Sequence, residues 1–281
     1  MTSERVRRLN YYVHGMRKIA RNRTSLCLCS LPMWLLVLVA ACSGGGEFVA
    51  RRGTPIMSTS NTERVTPHST LADTVGLEHD LRIIEGKLGR LGPGVRDHLV
   101  AVEVTYFSFA DSACTVVDKG EPRTGILLVH ACVADDVRAI FAGLLRDTFP
   151  IAKVIPINRY GLNADSTGWN DAASMADNNT SAFNYRGKAH VPEISKHAQG
   201  IAIDINPLLN PLVRHGPGGV TREPAVGRYT LGRPGTLTRR NITKHLAPRG
   251  WAWGGRWKRP QDHQHIEKVD GRCEHLRERI R

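Results

Sequence analysis

What the 281-residue chain lacks narrows its class before any motif is read. No internal repeat is present. No basic run carries interleaved aromatic residues, the pattern that would point to nucleic acid, so nucleic acid is not an expected partner. Its six cysteines include no C-x-x-C pair, which argues against a zinc site built on thiols. The apolar stretch Leu31 to Ala41 is too short for a membrane span, which needs about 20 apolar residues. Asp165, Asp171 and Asp177 are spaced too widely for the fixed D-x-D-x-D-G order of a calcium loop.

The remaining composition is that of an ordinary globular protein, 41% hydrophobic and 23% charged. The formal charge of +13 is partly a property of residues 1–42, where seven Arg or Lys stand against Glu4. The rest of the chain holds 32 basic and 25 acidic residues, a moderate excess that favours an anionic surface such as nucleic acid, lipid headgroups or an acidic wall polymer, without choosing among them.

Targeting signals fill the start. "RKIARNRTSLCLCSLPMWLLVLVAAC", Arg17 to Cys42, runs from basic residues through an apolar stretch to small residues before a cysteine, and reads as a signal peptide. "VAAC" resembles a bacterial lipobox, which implies lipidation of Cys42 and an exported protein anchored at the outer face of the cell membrane. Met16 directly precedes the basic region and is an alternative start. The expected organisation is a lipoprotein-type signal over 1–42, a Gly/Ser/Thr/Pro-rich tether over 43–70, and a folded domain over 71–281 with its core at roughly 98–268. Export permits disulfides. Cys114 and Cys132 flank an expected hairpin and are the expected pair, leaving Cys273 free.

Leu77, Leu81, Ile84, Leu88 and Leu91 recur at helical intervals and predict a helix over 71–90. Strands are expected at 98–109 and 124–133, joined through the turn-rich "DKGEPR", and a third at 151–159. A helix beginning at "ADDV" and ending before Pro150 lies between them. Residues 160–182 read as a long polar loop. This order predicts an α+β domain, a small antiparallel sheet with helices packed on it.

The chemistry lies in two segments. "SKHAQGIAID" places His197 and Asp204 seven positions apart across Gly200, in a run that buries Ile201, Ile203 and Ile205. An odd separation cannot share one face of a regular strand, so a turn or bulge is required near Gly200, with Ala202, Asp204 and Asn206 on one face of the strand that follows. Far downstream, "WGGRWKRPQDHQHIE" adds Asp262, His263 and His265. Two histidines and a carboxylate from separated segments suit a catalytic zinc, which leaves one coordination position open. A carboxylate off the metal must then move the proton.

These residues resemble the zinc D-alanyl-D-alanine carboxypeptidases, a family that includes vancomycin-resistance peptidases and phage L-alanyl-D-glutamate endolysins. "SKHAQGIAID" fits the signature S-x-H-x-x-G-x-A-x-D, and the downstream segment is similar to the W-G-G-x-W…D-x-x-H-F-E ending of the endolysin-like branch, with Ile266 for the usual Phe. The resemblance implies a hedgehog/D-Ala-D-Ala peptidase-like fold with the metal in a surface cleft. It implies one Zn2+ held by His197, Asp204 and His265, with Asp262 as catalytic acid/base. Ser195 and Arg186, the latter in "NNTSAFNYR", would contact substrate, the guanidinium gripping a carboxylate. The implied substrate is the stem peptide of peptidoglycan. D-Ala-D-Ala carboxypeptidase activity is the first expectation, with L-Ala-D-Glu endopeptidase or a non-catalytic wall-binding lipoprotein as alternatives.

His263 is expected at the rim, and Glu267 behind the metal or in an ion pair, with an alternative register making it the base. His215, His245 and His275 are expected in solvent. Trp251, Trp253 and Trp257 are expected in core and cleft wall.

Overall fold

In a computed structural model that describes residues 76–186 and 194–276, the leucine and isoleucine spacing becomes helix α1 (Leu77–Leu88), which buries Leu81 and Ile84. A short helix α2 (Pro93–Arg96) follows and leads into β1 (Leu99–Phe109). The residues described belong to the unit Thr62–Arg281. The expected signal peptide, the tether and Cys42 lie outside the described residues, as do residues 71–75 of the expected first helix. Among the described residues no helix is long and apolar enough to cross a membrane.

β1 pairs antiparallel with β2 (Val117–His130), from Leu99 opposite His130 to Phe109 opposite Val117. The turn is not at "DKGEPR" as its glycine and proline suggested. Those residues belong to β2 and are taken up as an irregularity in register between Tyr106 and Ser108. Extra residues in one strand of an antiparallel pair are accommodated as a bulge. The reversal comes earlier, at 110–116, where Asp111 accepts from the amides of Thr115 and Val116 at 2.9 and 2.8 Å.

This placement overturns the expected Cys114–Cys132 disulfide. Cys114 sits in the turn, whereas Cys132 lies just past the opposite end of the ladder, on the order of 30 Å along the strands. A disulfide needs Cα atoms within about 7 Å. Cys132 instead bonds Cys273, with Cα atoms 6.3 Å apart, and Cys114 is the free thiol.

Helix α3 (Ala134–Arg146) opens with Asp135 and Asp136 in its first turn and packs Val137, Ile140, Phe141 and Leu144 on β1. Only Lys153–Val154 of the third expected strand forms one, β3, because Pro150 and Pro156 bracket it and lack ladder donors. The polar stretch 160–182 is not a plain loop. It holds α4 (Asp171–Ala176), capped by the Asn170 side chain on the amide of Ala173, and β4 (Asn179–Thr180), which pairs parallel with β3.

The remaining elements build the site. β5 (Ala202–Asp204), the hairpin β6 (Leu212–Gly216) and β7 (Gly219–Glu223), α5 (Arg239–Leu246), β8 (Trp251–Trp253), β9 (Gln261–Asp262) and β10 (His265–Lys268) follow in order. α5 starts with a reciprocal cap between Thr238 and Asn241. The fold is thus α+β, but its antiparallel pairing is divided among a β1–β2 ladder and two three-stranded sheets, β5-β10-β8 and β7-β6-β9, rather than gathered in one small sheet. The ammonium of Lys268 is fully buried between Asp136 and Asp270 at 2.7 and 3.0 Å and the carbonyl of Arg249, tying β10 to α3.

Candidate metal centre

Antiparallel register brings the first two donors together. β10 runs against β5 so that His265 opposes Asp204 and Ile266 opposes Ile203. Opposed residues project from the same face with Cβ atoms about 5 Å apart. The donor pair therefore occupies one face while Ile203 and Ile266 are buried in the core on the other. Asn206 does not continue the polar face. It adopts φ 47°, and its buried amide binds Ala152, Pro150 and Gly235 through main-chain groups.

The third donor comes from the turn before β5. The amides of Gln199 and Gly200 donate to the carbonyls of Ser195 and His197 at 3.0 and 2.9 Å, and the Ser195 hydroxyl accepts from the amide of Ala198. Gly200 closes the turn at φ 69°, and a Cβ there would stand 2.7 Å from the amide nitrogen of His130, which donates to the Gly200 carbonyl. Gly200→Ala is expected to cost about 1–3 kcal/mol of stability through the left-handed backbone alone. Urea denaturation measures it, and an unchanged midpoint would show that the turn tolerates a side chain.

His197 Nε2 lies 3.0 Å from His265 Nδ1 and 3.3 Å from Asp204 Oδ2, and His265 Nδ1 lies 3.1 Å from Asp204 Oδ1. A tetrahedral zinc with bonds of about 2.0–2.1 Å to N and O would separate its ligand atoms by roughly 3.3 Å. The donor set fits. The other ring nitrogens are engaged as well, His197 Nδ1 with the carbonyl of Ala182 at 2.7 Å and His265 Nε2 with the carboxylate of Glu267 at 3.3 Å. Such contacts fix the ring that presents its opposite nitrogen to a metal.

The electrostatics favour a cation. Burial works against the charge of Asp204, yet His197 and His265 hold its carboxyl far below the usual range. Burial likewise opposes protonation of His265, but Asp204 and Glu267 override it and push that imidazole up to about 10. Burial opposes ionisation of Glu267 too, and its bond to His265 lowers it nonetheless. A metal ion at these donors would displace the proton.

Asp262 stands beside this group on β9, where Leu212 of β6 pairs with it. Its Oδ1 is buried with no hydrogen-bond partner among the described residues. Burial, then the charge of Asp204, raises the carboxyl to about 6. Gly254 allows the close packing. A Cβ there would meet the Asp262 carbonyl at 2.8 Å and the His265 Cβ at 3.3 Å.

Arg186 contacts Asp171, the first residue of α4, through Nη1 and Oδ2. Burial raises the Asp171 carboxyl against the pull of Arg186, and the charges of Asp204 and His197 also act on it. In the sequence Asp171 stands out only as one of three widely spaced acidic loop residues, since a partner fifteen positions away on another element leaves no local signal. Asp165 and Asp177 bind elsewhere, to Thr167 and to Lys153 with Tyr160.

Two further expectations change, and that of the tryptophans holds. His263 is not a rim residue but is buried and stacked on Tyr229, its ring centroid 3.7 Å away, and burial lowers its pKa. His245 is buried and bonds Asp147 at 2.7 Å, while His215 is exposed; the side chain of His275 lies outside those described. Trp251 and Trp253 are core residues, while Trp257 is 36% exposed and stands with its ring centroid 5.4 Å from that of His265, at the edge of the site.

Residues 189–268 match the profile of a peptidase family described as D-alanyl-D-alanine carboxypeptidase. That segment contains His197, Asp204, Asp262 and His265, and the match supports the recognition made from the two motifs. No curated protein and no solved structure matched the chain.

Proposed function

We propose that the protein is a zinc peptidase of the hedgehog/D-Ala-D-Ala peptidase-like fold that hydrolyses a peptide bond in the peptidoglycan stem peptide, acting as a D-Ala-D-Ala carboxypeptidase. The observation that carries this reading is the convergence of His197, Asp204 and His265 beside the orphaned carboxylate of Asp262. A bound zinc ion would supply a Lewis acid that activates water near neutral pH and polarises a carbonyl.

The chain's own groups do the rest. Asp262 accepts a proton from the attacking water as the carbon–oxygen bond forms, and delivers it to the amine nitrogen as the carbon–nitrogen bond breaks. Ala182 and Glu267 keep the two imidazoles oriented. Arg186, held by Asp171, offers its guanidinium to a substrate carboxylate. Ser195 shapes the turn that presents His197 and keeps its hydroxyl proton for substrate.

Export with a lipid anchor on Cys42, at the outer face of the cell envelope, belongs to the same proposal. The Cys132–Cys273 disulfide supports it, because structural disulfides persist in oxidising compartments.

Mass spectrometry of products from a soluble pentapeptide and from purified sacculi tests the reaction. Loss of a terminal alanine supports the carboxypeptidase, and an internal cut after L-Ala supports the endopeptidase of the endolysin-like branch. Intact substrates after incubation with the zinc-loaded protein would reject the enzyme.

The pH profile supplies a second check. Asp262 must be ionised to accept a proton, and its carboxyl stands at about 6. Activity is therefore expected to fall on the acid side, at or below pH 6, since a bound cation draws that value down. A rate that is flat from pH 7 to pH 4 would remove Asp262 from the role.

A further inference from the structure

The strand that carries Asp262 is flanked by positive charge that the fold does not use. The segment 256–260, which leads directly into β9, is exposed throughout and holds Arg256, Lys258 and Arg259. On the other side of β9, Val213 of β6 opposes Gln261, and Arg222 of β7 opposes Val213 in turn. The β6–β7 hairpin is exposed from Arg214 to Arg222. The segment 256–260 and β6 therefore border one strand, with Arg222 one strand further out, on the face of Gln261 rather than that of Asp262.

Within this region Arg214 is neutralised by Glu223 at 2.9 Å. Among the described residues, Arg222, Arg256, Lys258 and Arg259 form no ion pair and no side-chain hydrogen bond. The flank also reaches the centre itself, since Trp257 stands between Arg256 and Lys258 and packs near His265. The charge of Glu223 at the hairpin base acts on both Asp262 and Asp171.

We propose that this basic flank is an exosite that holds the carboxylate-bearing peptidoglycan polymer while the neighbouring centre acts on one of its stem peptides. The inference rests on the peptidase reading and adds a substrate class to it, polymeric wall rather than small free peptide. A polymer presents carboxylates at many points, so it engages the centre and the flank together, whereas a short peptide fills only the centre. Charge attraction of this kind raises the local concentration of substrate and weakens with salt, because screening acts over about 8–10 Å.

The test uses the full chain carrying Asp262→Asn, so that binding is read without turnover. Co-sedimentation with purified sacculi is compared with the same chain carrying Arg222→Gln, Arg256→Gln, Lys258→Gln and Arg259→Gln in addition. Sacculus affinity is expected to fall about tenfold in that variant at low salt, with the difference shrinking as salt is added. With Asp262 intact, the four substitutions are expected to leave kcat/KM on a soluble pentapeptide within about twofold.

Equal sacculus binding by both chains would overturn the exosite. So would an equal loss of soluble-peptide turnover, which would place the four residues in the centre instead. A larger loss of binding to vesicles containing phosphatidylglycerol than to sacculi would also overturn it, in favour of a membrane-facing flank. Failure of the wild type to cleave either substrate rejects the peptidase reading, while sacculus binding still decides the flank.

Discussion

Asp262→Asn is expected to keep one zinc ion per chain and to lower turnover by about 10²–10⁴-fold, the range that a positioned acid/base supplies. The substitution preserves volume and removes only the carboxylate, so the three donors remain in place. His197→Ala is expected to behave in the opposite order, losing the metal first and activity as a consequence. Metal analysis together with single-turnover rates separates the two. An Asp262→Asn protein that turns over like the wild type would refute the acid/base role, and a His197→Ala protein with unchanged zinc stoichiometry would refute the ligand set.

The same substitution has a thermodynamic signature. The Asp262 carboxyl is raised from 3.8 to about 6, so the metal-free fold prefers its protonated form. Ionising it as pH rises through that window costs stability, because the unfolded chain releases the proton more readily. Metal-free Asp262→Asn is therefore expected to melt above metal-free wild type at pH 7, with the gap closing below pH 4. An inactive but more heat-stable protein is what a carboxylate kept uncomfortable for its task would leave behind.

The second large effect is on stability itself. Cys273→Ser is expected to lower the unfolding free energy by up to about 5 kcal/mol, because the Cys132–Cys273 bond closes a separation of 141 residues in the unfolded chain. Cys114→Ser serves as the control, since that thiol forms no disulfide and is only half-buried, and its denaturation midpoint is expected to stay near that of the wild type. Equal midpoints for Cys273→Ser and wild type under oxidising conditions would remove the disulfide from the stability of the fold.

Most of the chemistry could be read from sequence because donor types at fixed spacing are local properties. The seven-residue gap between His197 and Asp204 already required a turn near Gly200, and the chain makes that turn. The opposition of His265 to Asp204 across β10 and β5 was hidden, since register depends on a pairing more than sixty residues apart. Helix α1 followed from apolar spacing, and α3 from its acidic start and the Pro150 beyond its end. The turn-forming residues of "DKGEPR" misled because Gly and Pro serve a bulge as well as a turn, and that one misplacement produced the wrong cysteine pair. Asp171 and the buried His245 and His263 gave no signal, for their partners lie on other elements and polar surroundings in sequence do not imply exposure in space.

The covalent link from Cys132 to Cys273 has a consequence for survival under proteolysis. Arg186, His197, Asp204, Asp262 and His265 all fall within the ring it closes. A protease that cuts the backbone once inside that ring leaves two pieces that cannot diffuse apart, and the broken chain can still refold around its donors. The bond thus gives tolerance to damage: a nicked molecule runs as one species until it is reduced, and only then as two.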